Sequence, residues 1–150
     1  MLPFYVMVAA ILAARGLGAL GWTPLDEWRV ATRCGLSIMF FFTAAAHFSP
    51  RTRGDLIAMV PPALPRPDLL VTLTGIAELA GAIGLLTARA PLAAYGLMLL
   101  LVAMFPANIY AARIDHRIGG RPHTRMTLRA PLQLLWIGLL WWSAGSVSPA

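Results

Sequence analysis

The sequence predicts an all-α integral membrane protein of five spans, and three observations carry that prediction. Of the 150 residues, 59% are hydrophobic and 12% charged, whereas a soluble domain carries about 45–50% apolar and about 25% charged residues. The mean hydropathy is +0.72. The apolar residues gather into five runs, at about 2–21, 30–48, 69–88, 90–112 and 129–147. At ~1.5 Å per residue each run can cross a hydrocarbon core about 30 Å thick. So little charge cannot clothe a water-soluble globule, which excludes a cytosolic enzyme and a disordered chain. Cys34 is the one cysteine, so there is no internal disulfide, CxxC pair or multi-cysteine zinc site.

In hydrocarbon no water satisfies the backbone, so each run is expected to be a helix. The first, LPFYVMVAAILAARGLGALG, is interrupted by Arg15. It lacks a basic leading segment and a small-x-small cleavage site, and is expected to be a retained helix rather than a signal peptide. The short link WTPLDEWR leads to the second, VATRCGLSIMFFFTAAAHF. The third, LLVTLTGIAELAGAIGLLTA, carries Gly75, Gly81 and Gly84 with Ala77, Ala80 and Ala82. Small residues of this kind let a neighbouring helix approach closely. A hinge near Arg89–Pro91 opens the fourth, APLAAYGLMLLLVAMFPANIYAA, and RAPLQLLWIGLLWWSAGSV is the fifth. The link 49–68 concentrates Pro61, Pro62, Pro65 and Pro67 and is expected to form a stiff polyproline-like strap with a small apolar patch, LIAMV. The link 113–128 is polar and broken by glycine and proline.

The net charge of +6 comes from arginine alone, since the chain has no lysine. The arginines lie between apolar runs and form no basic face, which argues against nucleic acid and for contact with lipid headgroups. Arg113, Arg117, Arg121, Arg125 and Arg129 crowd the last link and its margin, so that link is expected in the cytoplasm. Alternation puts Arg51, Arg53 and Arg66 there as well. Trp22, Trp28, Trp141 and Trp142 then fall at the outer interface as an aromatic belt. The expected topology is N-terminus inside and C-terminus outside.

An ionisable group at mid-membrane costs at least about 2.5–3.5 kcal/mol, so it has a partner or a task. Glu78 lies near the middle of the third run. It reads either as a proton carrier or ligand anchor, or as a structural carboxyl, protonated and bonded to a neighbouring helix or paired with Arg15. Counted from the cytoplasmic face, the two lie at depths of about 14 Å and 20 Å, within an arginine's reach. His47, Asn108, Gln133 and Arg129 all fall within roughly two turns of the inner face. Pro106 frees a backbone carbonyl one turn back, which Asn108 or a water could satisfy. Two arrangements remain open: a polar pocket floored by Glu78 and roofed by the proline strap, or a hydrogen-bonded collar joining the helix ends. His116 and His123 read as solvated loop residues, and Cys34 as a small packing residue. Three scattered histidines without an acid at ligand spacing give no metal site. No HExxH, GxSxG, Walker or GxGxxG pattern is present.

The segment FSPRTRGDLIAMVPPALPRPD from Phe48 to Asp68, followed by LVTLTGIAELAGAIGLL, LLLVAMFPANIYAA and RAPLQLLWIGLLWW, resembles the DoxX-like family of small bacterial membrane proteins. The most specific pieces are the PPxLPxP strap, the G-x-x-E of Gly75–Glu78 and the F-P-A-N of Phe105–Asn108. The resemblance covers about residues 30–145. It implies a transmembrane four-helix bundle made of the second to fifth helices, with the first as an additional N-terminal helix, in a bacterial inner membrane. Related bundles include dithiol enzymes that use quinones, and a single cysteine does not carry that dithiol chemistry across.

Three functions follow as expectations. The first is a non-catalytic bundle that binds a small lipophilic ligand through Glu78, His47, Asn108, Gln133 and Arg129, or serves as a subunit for a partner. The second is a proton-relay subunit of a membrane oxidoreductase, in which Glu78 and His47 pass protons to a quinone while the partner supplies electrons. The third is a small transporter, which without an inverted repeat requires self-association. No other cofactor is evident.

Overall fold

Proline and glycine punctuate the chain where its helices begin and end. The computed structural model describes residues 2–114, 117–122 and 126–145. Its helices are α1 (Leu2–Ala19), α2 (Trp28–Phe48), α3 (Arg53–Ala58), α4 (Pro67–Leu85), α5 (Ala90–Arg113) and α6 (Met126–Ala144). A short 3₁₀ turn, Thr23–Asp26, joins α1 to α2 after Gly21 at φ 107°. Pro67 opens α4 and Pro91 stands in the first turn of α5, where the missing N–H costs no helical bond. Between α5 and α6, β1 (Arg117–Ile118) and β2 (Arg121–Pro122) pair as a minimal antiparallel hairpin. Gly119 and Gly120, at φ 57° and 75°, supply the left-handed backbone that a two-residue turn demands.

The link 49–68 differs from the expected strap. Residues 53–58 form α3, so much of the LIAMV patch is helical. The prolines after it make turns, with Leu64 N–H donating to the Pro61 carbonyl at 2.9 Å. Arg66 takes a left-handed conformation, φ 51°, which redirects the chain into α4. The prolines are separated by Ala63, Leu64 and Arg66, whose free dihedrals let the chain fold back where an unbroken proline run would extend it.

Helices α2, α4, α5 and α6 pack in a closed ring, each against the next, and α1 lies outside on α2. Ring neighbours run antiparallel. Ser37 of α2 meets Ala82 of α4 while His47 meets Val71, and Gly81 and Gly84 of α4 meet Leu97 and Ala93 of α5. Gln133 of α6 meets Leu101 of α5, and Arg33 of α2 meets Ser143 and Gly145 at the end of α6. Arg33 thereby caps the carbonyls that a helix end leaves without partners.

The ring interior has two halves. Towards the end that holds Arg33, the core is apolar: Leu36, Met39, Phe40, Ala82, Leu85, Leu97 and Leu140. The buried serines there, Ser37 and Ser143, donate to the carbonyls of Ala82 and Leu140. Towards the other end the buried side chains turn polar. Outside, the bundle exposes large apolar side chains, among them Leu12, Leu92, Leu99, Val102 and Leu134, a surface suited to lipid and not to water. Among the described residues, α1, α2, α4 and α5 are long and apolar enough to cross a membrane. Helix α6 spans 19 residues, but Arg129 and Gln133 dilute the apolar content of its first half.

Candidate functional site

Each ring helix contributes one buried polar side chain to the same half of the interior. These are His47 from α2, Glu78 from α4, Asn108 from α5 and Gln133 from α6, with exposures of 8%, 4%, 9% and 6%. Buried polar groups need partners, because an unmade hydrogen bond costs about 1–3 kcal/mol.

Between α2 and α4 these partners are well defined. One Glu78 carboxyl oxygen, Oε2, lies 2.8 Å from the Thr43 hydroxyl, and the other, Oε1, lies 3.8 Å from His47 Nε2. Thr43 Oγ1 also lies 3.1 Å from the Phe40 carbonyl. A hydroxyl has one hydrogen to give. An ionised Glu78 accepts it; a protonated Glu78 donates to Thr43, whose hydrogen then turns to Phe40. Both states of the carboxyl are therefore accommodated without moving a heavy atom. His47 Nδ1 lies 2.8 Å from the Val71 carbonyl. A carbonyl only accepts, so Nδ1 carries hydrogen, and Nε2 is the position that gains or loses a proton facing Glu78. Among the described residues no arginine lies within ion-pair distance of Glu78.

The G-x-x-E motif acquires a physical meaning here. A Cβ on Gly75 would stand 2.6 Å from His47 Cβ, so only glycine lets the imidazole enter beside α4. One turn further along, Glu78 meets it. Arg53 of α3 fixes the approach from outside: its guanidinium donates to the His47 carbonyl at 3.0 Å and to Thr72 Oγ1 at 2.9 Å. Thr43 and Arg53 escape notice in the sequence, since threonine in an apolar run and arginine in a basic link are both commonplace.

The other expected residues fall at two depths, Gln133 near the level of Glu78 and Asn108 about two turns further along α5. Antiparallel register from Gly81 beside Leu97 sets Glu78 level with Leu100 and Val71 level with Asn108 to within about a residue. Gln133 Nε2 donates to the Leu101 carbonyl at 2.9 Å, one residue before the carbonyl that Pro106 deprives of its N–H. The amide that reaches into the α5 backbone is thus that of Gln133 rather than Asn108. Asn108 is buried in α5 at 9% exposure. Arg129 is partly buried near the start of α6 and is engaged there. One turn beyond Gln133, the Trp136 indole N–H is buried with no acceptor among the described residues.

Arg15 does not pair with Glu78. It forms an ion pair with Asp26 at 2.7 Å, also donates to the Asp26 carbonyl, and lies over the Trp28 ring, 4.7 Å from its centroid. Trp28 precedes Thr43 by about 22 Å along α2, so the helix register, rather than side-chain reach, separates Arg15 from the buried carboxyl. The belt expectation gains a counterpart: Trp28 and Trp142, with Arg29 over the latter, sit at one end of the bundle. Cys34 is free and partly exposed. His116 and His123 lie outside the described residues. Among the described residues no group of three potential ligands could hold a metal.

Fold and site together define an all-helical protein with membrane-capable helices and buried polar side chains in one half of its ring, of which Thr43, Glu78 and His47 lie together. The chain belongs to the family described as Domain of unknown function (DUF8561), whose model matches residues 36–144. That span takes in most of α2 and the rest of the ring and leaves out α1. No curated protein and no solved structure matches the chain.

Proposed function

We propose that this chain is a five-span, DoxX-like protein of a bacterial inner membrane that binds a small lipophilic ligand in the polar half of its ring. Glu78 and His47 hold the proton that such a ligand's oxygen meets. The observation that carries this reading is Glu78 itself, a buried carboxyl faced by a hydroxyl and an imidazole and, among the described residues, by no arginine. An ionisable group at this depth has a partner or a task, and no fixed cation among the described residues holds Glu78 in one charge state. One further group supports the reading: the buried Trp136 N–H, without an acceptor among the described residues. In this reading α6 is the fifth span, the N-terminus lies inside and the C-terminus outside, and the bilayer is the first partner.

The test is solvent-extraction mass spectrometry on gently purified wild-type protein beside Glu78→Gln. The expected result is one lipophile per chain in the wild type and its loss in the variant. No enrichment over bulk lipid in either sample overturns the reading.

A second reading, a quinone-linked subunit that takes electrons from an oxidoreductase partner, draws on the tautomer that Val71 imposes on His47. With Nδ1 tied to a carbonyl, Nε2 can only exchange its proton with Glu78 or with a bound oxygen. Glu78→Gln then abolishes pH-linked activity of the complex while Glu78→Asp keeps part of it. Full activity in both variants ends this reading.

A further inference from the structure

A second site lies on the outer surface of the ring, where α4 and α5 meet. There a groove of about 380 Å³ runs between the helices, open to the outside, with Arg89 at one end and Ala77 and Leu100 at the other. Its depth has a local cause. Gly81 and Gly84 have no side chains, and a Cβ on them would collide with Leu97 and Ala93 at 2.5 and 2.6 Å, so the two helices close backbone to side chain. Beside this contact Ala80 and Gly96 leave the outer part unfilled, and nothing lies within 4 Å of where a Gly96 Cβ would stand.

Length and charge specify the occupant. From Arg89 to Leu100 the groove extends about 16 Å, roughly half the hydrocarbon thickness. It therefore has the depth of one leaflet. Its walls are apolar, whereas its mouth carries the Arg89 guanidinium, exposed and with no hydrogen bond or ion pair among the described residues. A second copy docked here about a two-fold axis along the membrane normal would bring two Arg89 side chains to one depth, cation against cation. We infer that the α4–α5 groove binds one acyl chain of an anionic phospholipid, with the lipid phosphate on Arg89. The inference rests on α4 and α5 crossing a bilayer, and is independent of the ligand proposed for the ring interior.

Native mass spectrometry of the detergent-solubilised full chain, titrated with phosphatidylglycerol or with phosphatidylcholine of the same acyl chains, tests it. The wild type is expected to retain phosphatidylglycerol about fivefold more strongly, the worth of one arginine at an anionic surface. Arg89→Gln removes that preference and Arg89→Lys keeps most of it. Gly96→Leu, whose Cβ would have nothing within 4 Å, weakens both lipids alike. Equal retention of the two lipids by the wild type, a preference that survives Arg89→Gln, or unchanged binding in Gly96→Leu overturns the inference. So does a lipid-free dimer that Gly96→Leu splits, since that outcome gives the groove to a second copy. Recovery of each variant in the membrane fraction tests the underlying bilayer reading separately, and an unchanged thermal unfolding midpoint shows that Gly96→Leu is folded.

Discussion

Adding one methyl group at Gly75 separates a packing requirement from ordinary helix propensity. In Gly75→Ala the new Cβ would stand 2.6 Å from His47 Cβ, 3.0 Å from its Cγ and 3.1 Å from Phe48 Cε2. The first two are the root of a side chain whose ring is tied to Val71, so α2 and α4 must part or the imidazole must swing away. Overpacking of this kind costs about 1–3 kcal/mol, against which alanine recovers up to about 1 kcal/mol of helix propensity. Gly138→Ala makes the comparison clean, because nothing lies within 4 Å of its Cβ position and it gains the propensity alone. The propensity terms cancel in the difference between the two variants, which leaves the 1–3 kcal/mol of overpacking. Taking the middle of that range and about 2–4 °C per kcal/mol for a chain of this size, Gly75→Ala should unfold roughly 4–8 °C below Gly138→Ala. The assay is tryptophan fluorescence of the two proteins heated in one detergent. Equal midpoints would refute the claim that glycine at this position admits His47.

Other outcomes follow from the same geometry. A double-mutant cycle of Arg15→Gln with Glu78→Gln should show coupling below about 0.5 kcal/mol, because the two residues share no partner; a larger coupling in chemical unfolding would restore the pairing that helix register separates. Thr43→Val with Glu78→Gln, by contrast, should couple by about 0.5–3 kcal/mol, as hydrogen-bonded neighbours do. Ser37→Ala removes the bond to the Ala82 carbonyl and should cost about 0.5–1.5 kcal/mol, read as a lowered unfolding midpoint. A reporter fused to the C-terminus should be active on the outer face of the membrane, and activity in the cytoplasm would reverse the proposed orientation.

Glu78 stood out in the sequence because a carboxyl in the middle of an apolar run is conspicuous by composition. So did the placing of His47, Asn108 and Gln133 towards one half of the bundle, which needs only alternating helices and a rise per residue; their spread over about two turns did not. The chemistry around them was not legible. Thr43 is one hydroxyl among many apolar residues, and its role depends on facing α4 at one position. Trp136 counts as a core aromatic until its N–H is found without an acceptor. The strap misled because proline content sets local stiffness but not the direction of the residues between, and Arg66 and α3 turn the segment back on itself.

Composition and run length by themselves determined the class of this protein: helices long and apolar enough for a bilayer, joined by arginine-bearing links. These are one-dimensional properties, fixed by how much apolar surface each stretch of chain must bury and how far a helix rises. Which helix faces which, and at what height, was decided only by tertiary packing. Gly75, Gly81 and Gly84 set the approach of α4 to its two neighbours, and that approach seats His47 against Glu78. Arg15 is held at the far end, where the register of α1 on α2 delivers it to Asp26 and Trp28. Partner choice among buried polar groups is settled by fractions of a helical turn, and packing fixes that scale where sequence spacing alone cannot.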